Sequence, residues 1–197
     1  MPVVTANGRT LLFVHVPKTA GMSVARFMSD NGTVTAANRL TAYGQSPRLR
    51  HLHAEPLTEL YAKGCFDWVF MIVRDPVQKM LSEYRYQRRK SGLHLPNLLS
   101  FPVWLRYSLA RRRRDPSYRE NHFRPQAEFR VFDAEVFRLE DGLDHLETRF
   151  CEVTGVANPI RMTRENPSPK RKIDVRPQDV ALIRETFARD YQEFGYA

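Results

Sequence analysis

The residues best equipped for chemistry gather at one junction, Pro17-Lys18-Thr19-Ala20-Gly21-Met22-Ser23, between an apolar run and a helical pattern. The first N–H groups of a helix lack intrahelical partners, and the positive end of the helix dipole lies beside them. With the Lys18 ammonium they would form a concave anion site. The plainer alternative is a turn eased by Gly21, with Lys18 solvated. The order G-x-x-x-x-G-K-[S/T] is absent, and the lysine precedes the glycine, which argues against a nucleoside triphosphatase. A second charge, Arg74, stands just after the apolar run DWVFMIV at 67–73. Ser82 lies off the stripe Val77, Met80, Leu81 and Tyr84 that follows. The polar segment 48–56 holds His51 and His53 at alternate positions, so in an extended chain they share a face.

The elements needed to hold these residues can be read from periodicity. The run LLFVHV at 11–16 suits a buried strand, with His15 a core histidine inside it. Val24, Phe27 and Met28 then recur at helical offsets, and Asp30-Asn31-Gly32 ends the helix. Residues 67–73 are almost unbroken in apolarity, as in a strand covered on both faces of a parallel sheet. Asp75 suits a helix cap and Pro76 the first turn after it. Lys18 and Arg74 would then share the carboxyl edge of one sheet, where open α/β sheets bind ligands. Residues 1–10 read as a loose lead-in, 33–47 as weak strand signals with a turn, and 57–64 as a short helix. Residues 97–110 read as a helix, 135–140 as a late strand and 142–154 as an amphipathic helix. A single last helix carries the stripe Val180, Ile183, Phe187, Tyr191 and Phe194.

The 197 residues are long enough for a sizeable core and short for two domains, so one domain over 1–197 is expected. Lys+Arg 31 against Asp+Glu 22 gives a net charge of +9, which favours anionic partners without naming one. Two cysteines, Cys65 and Cys151, imply no disulfide framework. No secretory signal opens the sequence, no apolar run approaches a membrane span, and no metal-ligand cluster occurs at usable spacing.

V-P-K-T-A-G-M-S followed by V-R-D-P-V-Q-K-M-L-S-E-Y resembles the paired cofactor motifs of the carbohydrate-type (family 2) sulfotransferases. The resemblance implies a three-layer α/β/α fold with a central, mainly parallel sheet and a P-loop-like donor site. It implies the donor 3′-phosphoadenosine 5′-phosphosulfate (PAPS), with product 3′-phosphoadenosine 5′-phosphate (PAP). Pro17, Lys18, Thr19, Ala20, Gly21, Met22 and Ser23 would hold the 5′-phosphosulfate, and Arg74 and Ser82 the 3′-phosphate. A late loop would close on the adenosine, making Asn166, Ser168 and Lys170 candidates; a linker with solvated charges is the alternative. The acceptor hydroxyl would lose its proton to His53, with His51 supporting and Glu55 a rival base, since imidazole titrates near neutrality. Lys18 completes the catalytic set.

Met22 stands where many relatives have threonine, and Lys79 where an arginine is usual, so a fork-like contact becomes a point charge. The segment His122-Phe123-Arg124-Pro125-Gln126 resembles a stretch near the acceptor cleft, or is an ordinary turn. The arginines at 111–114 are either a polyanion contact or a solvated face. The implied acceptor is a glycan or another hydroxyl compound; with neither a secretory signal nor a span read in the sequence, the expected setting is the cytoplasm, where the donor is made. Two other readings stay open: a non-catalytic nucleotide-binding protein of the same fold, and a basic RNA-binding module. For the latter the chain has no aromatic RNA-reading motif.

Overall fold

The structure is a computed structural model and describes residues 2–36, 51–89, 98–163 and 172–197. Its first surprise is at the start. Residues 1–10 are not a loose lead-in: Val3–Ala6 is strand β1 and Arg9–Val14 is β2, joined as an antiparallel hairpin. Asn7 and Gly8 take φ of 46° and 76°, the paired positive values of the two-residue turn that Asn-Gly favours. After α1 (Gly21–Asp30) comes β3 (Thr33–Ala36), antiparallel to β1. Then follow α2 (Ala54–Leu60), β4 (Trp68–Val73), α3 (Pro76–Arg89) and α4 (Phe101–Arg114). The chain continues through β5 (Glu135–Arg138), α5 (Asp144–Thr154), α6 (Pro177–Thr186) and α7 (Ala188–Phe194).

The result is a mixed α/β fold with sheet order β3-β1-β2-β4-β5. β2, β4 and β5 pair in parallel, while β1 runs against both its neighbours. The sheet is therefore mixed, with parallel pairing confined to the half that ends in the Lys18 and Arg74 junctions.

Alternate residues of the central strands enter two separate cores. Leu12, Val14, Val69, Met71 and Val73 pack with Leu57 of α2 and Phe194 of α7. Leu11, Phe13, Trp68, Phe70 and Ile72 pack with Phe27 of α1 and Phe150 of α5. Burial on both faces explains why β4 reads as a continuous apolar run. A third cluster joins α3, α4 and α6 through Met80, Tyr84, Trp104, Leu105, Ile183 and Phe187. The single last helix is instead two, separated at Phe187, whose ψ of 27° leaves the helical range. Phe187 and Phe194 consequently serve different cores.

A buried polar anchor crosses from α7 to the loop before β5. The Asp190 carboxylate accepts the Gln126 N–H and the Ala127 N–H, both at 2.9 Å. Burial pushes the Asp190 carboxyl up, while Lys79 and these donors work against that shift. Replacing Asp190 with Ala orphans both buried donors. The expected loss in urea unfolding is about 3 kcal/mol, the scale of abandoned buried hydrogen-bonding groups.

Candidate functional site

β2 and β4 are adjacent and parallel, with Leu11 opposite Trp68 and Val14 opposite Met71. The loops leaving them must therefore emerge side by side. They touch: Arg74 Nη1–H donates to the Lys18 carbonyl at 3.3 Å. Lys18 and Ala20, not Gly21, take the left-handed conformation, with φ of 69° and 63°. Alternating conformations of this kind turn successive backbone N–H groups toward a common concavity, the arrangement known as an anion nest. Thr19 is fully buried and its hydroxyl donates to the Val16 carbonyl at 2.9 Å. That hydroxyl closes the turn. Pro17 leads into the loop, Met22 is exposed on the first turn of α1, and Ser23 is buried beside it.

Gly21 has a different reason to be glycine from the one expected. It opens α1 with no positive φ, and a Cβ there would lie 1.7 Å from His15 Nε2. The loop is thus drawn tight against an imidazole, and His15 is the floor of the site as well as a core residue.

Arg74 is fixed from behind. Gln126 Oε1 accepts the Arg74 N–H at 2.9 Å, and Gln126 Nε2–H donates to the Arg74 carbonyl at 2.7 Å. The same glutamine is held by Asp190. Asp75 Oδ1 accepts the Gln78 N–H at 2.8 Å, capping α3 as its position suggested. Ser82 lies further along that helix and is buried at 5% exposure. Lys79 turns inward. Its ammonium donates to the Arg124 carbonyl at 3.0 Å, and burial lowers its pKa to about 8. It is no surface contact to a phosphate. Asn166, Ser168 and Lys170 lie outside the described residues.

Three imidazoles stack beside the loop. His51 Nδ1–H donates to the His15 carbonyl at 2.9 Å, and the two rings meet edge to face at 4.5 Å. His122 meets His51 in the same way at 5.1 Å, and its Nδ1–H donates to Glu83 Oε2 at 2.7 Å. Tyr86 lies 6.1 Å from His122, and Lys18 Nζ sits 3.9 Å above the Tyr86 ring. The sequence placed His122 only within a segment of uncertain role and gave no role to Glu83. Nothing local marks the pair, because 39 residues separate its members.

His53 precedes the first residue of α2, with Nε2 3.5 Å from Glu55 Oε2. Burial and the Arg124 charge lower its pKa below the ordinary 6.5, partly opposed by Glu55. Its Nδ1 is buried without a hydrogen-bond partner. A cleft of about 380 Å³ opens here, lined by His51, His53, Glu55 and Asn121 among others. Asn121 Nδ2–H donates to the His51 carbonyl at 2.8 Å, tying the segment before His122 to the cleft wall. At the end of α4, Arg111, Arg113 and Arg114 are exposed, whereas Arg112 pairs with Glu128 at 3.6 Å. Both cysteines are free thiols. No helix among the described residues is long and apolar enough to cross a membrane.

Because Gly21 abuts an imidazole, Gly21→Ala is expected to cost about 1–3 kcal/mol in denaturant unfolding, the range for overpacked sites. Adding His15→Ala should recover part of that loss, giving a non-additive double-mutant cycle.

No curated protein and no solved structure matches this sequence. The sequence model described as the sulfotransferase family does, over residues 2–197. The two motifs at Lys18 and Arg74 sit at touching strand-to-helix junctions of one sheet edge, and the chain belongs to the sulfotransferase family.

Proposed function

We propose that this sulfotransferase takes a sulfuryl group from PAPS and passes it to a hydroxyl of a carbohydrate or polysaccharide, with His53 as base. The observation that carries this reading is the contact of Arg74 with the Lys18 carbonyl. Two donor-rich loops in contact can grip opposite ends of one small bisphosphorylated nucleotide. The donor set suits that ligand: the Lys18 ammonium, the Arg74 guanidinium and the backbone N–H groups of Thr19, Ala20, Gly21, Met22 and Ser23 all favour anions. Pro17 sets the entry to the loop. The reading also carries a three-layer α/β/α, P-loop-like fold in one domain, and work in the cytoplasm.

PAPS supplies an activated sulfuryl group whose leaving group is a phosphate. Lys18 and the loop N–H groups stabilise charge on the sulfonate and phosphate oxygens. Arg74 and Ser82 hold the 3′-phosphate and orient the nucleotide. His53 lies on the cleft wall, and its lowered pKa keeps the imidazole neutral near pH 7, the form that accepts a proton. His51 stands next to it with Nδ1 committed to the His15 carbonyl. As in phosphoryl transfer, positioning and electrostatics supply the catalysis.

Calorimetry tests the nucleotide site: PAP is expected to bind in preference to AMP and ATP. Equal affinity for all three would sink the reading. Lys18→Ala is expected to lower turnover roughly 100- to 1000-fold, the scale of a lost transition-state donor. Ser82→Ala should raise KM for PAPS more than it lowers kcat.

The pH profile tests the base. Proton uptake by His53 below its lowered pKa removes the acceptor lone pair, so activity should fall on the acid side at a pH below 6.5. The Glu55 carboxylate favours the imidazolium; Glu55→Gln is expected to move that acid limb further down. A limb that stays put assigns the proton transfer to another group.

A further inference from the structure

Glu83 is among the buried acids that the transfer mechanism does not use. It follows Ser82 on α3 and is 1% exposed. Both carboxylate oxygens are occupied. Gln87 Nε2–H donates to Oε1 at 2.6 Å, and His122 Nδ1–H donates to Oε2 at 2.7 Å. Gln87 is itself held by the Trp104 indole N–H at 2.9 Å. Burial alone would push the Glu83 carboxyl up; His122, the Gln87 amide and the Lys18 charge outweigh it and hold the group below its ordinary value. An ionised carboxylate only accepts, so the shared proton belongs to His122 Nδ1.

His122 is in turn the hub of the ring stack. One edge meets His51 at 5.1 Å, and Tyr86 lies 6.1 Å away beneath the Lys18 ammonium. We infer that Glu83 is a positioning residue of the transfer site: through His122 Nδ1 it holds the stack that carries His51 on one side and the Lys18–Tyr86 pair on the other. The inference rests on the sulfotransfer reading. An unneeded buried carboxylate would be a liability at this depth, because an anion is costly to desolvate and these donors only compensate that cost. Its place between the two halves of the site gives it a use.

Glu83→Gln keeps the shape, but its amide can donate to His122 Nδ1 and reverse the tautomer, a change that disables carboxylate–imidazole pairs elsewhere. The experiment compares the full chain with Glu83→Gln, His122→Asn and the double variant. Turnover is followed as PAP released from PAPS with a panel of neutral and acidic oligosaccharides, or with water where none reacts. Each single change is expected to lower kcat roughly 100-fold, within the range for lost proton-transfer positioning. The double variant should be no slower than the slower single one. PAP affinity should fall by less than kcat does. Nitrogen-15 imidazole spectra of the unaltered protein should show His122 protonated at Nδ1, whether or not the variants fold. Wild-type kcat in Glu83→Gln, additive losses, PAP affinity falling in step with kcat, or a His122 without a proton on Nδ1 would each overturn the inference. A wild-type protein that neither prefers PAP nor consumes PAPS overturns the sulfotransfer reading, and the positioning role with it. A PAPS-active wild type with an unaffected Glu83→Gln variant overturns the positioning role alone.

Discussion

Parallel pairing of β2 with β4 is the constraint on which the site depends. Two parallel neighbours end at the same edge of a sheet, so whatever follows each strand must share one rim. Here those continuations are the Lys18 loop and Arg74, and they meet through a hydrogen bond. An antiparallel pair would have sent them to opposite ends of the sheet, roughly 20 Å apart for strands of this length. The antiparallel hairpin of β1 extends the sheet without disturbing that rim.

Packing then converts adjacency into rigidity. The His15 ring fills the space where a Gly21 side chain would lie, so the loop cannot relax inward. Gln126 clamps the backbone of Arg74 through both its N–H and its carbonyl, and is itself clamped by Asp190. Parts of the chain far apart in sequence thus hold a site whose motifs are local. The acidic anchor on α7 reaches the arginine after β4 through one glutamine, and the carboxylate on α3 reaches the loop histidines through His122.

What was legible in the sequence follows from that division. The strand-to-helix motifs were legible because their signals lie within a few residues: apolar runs, Asp75 with Pro76, and a lysine three residues before a glycine. The Asn7-Gly8 hairpin was equally local, yet the short polar stretch around it hid a four-residue strand. The break at Phe187 was not legible, because the apolar stripe continues through it; only tertiary packing shows that its members face two cores. The reason for Gly21 was invisible for a similar cause. Local rules assign glycine to positive φ, whereas here a ring contributed by β2's exit excludes a Cβ. The Glu83–His122 pair had no local signature at all. Lys79 reads only as a point charge in place of an arginine fork, and its inward turn depends on a carbonyl supplied by Arg124.

That inward amine has a consequence for how the fold responds to alkali. Lys79 releases its proton at about 8 in the native chain, against an ordinary value of 10.5. Between those two values the unfolded chain holds the proton and the folded one does not, so this residue makes folding more favourable as hydroxide rises. A mildly basic medium therefore relieves a desolvation burden carried at neutrality, and Lys79 sets its own optimum for the native state on the alkaline side of pH 7.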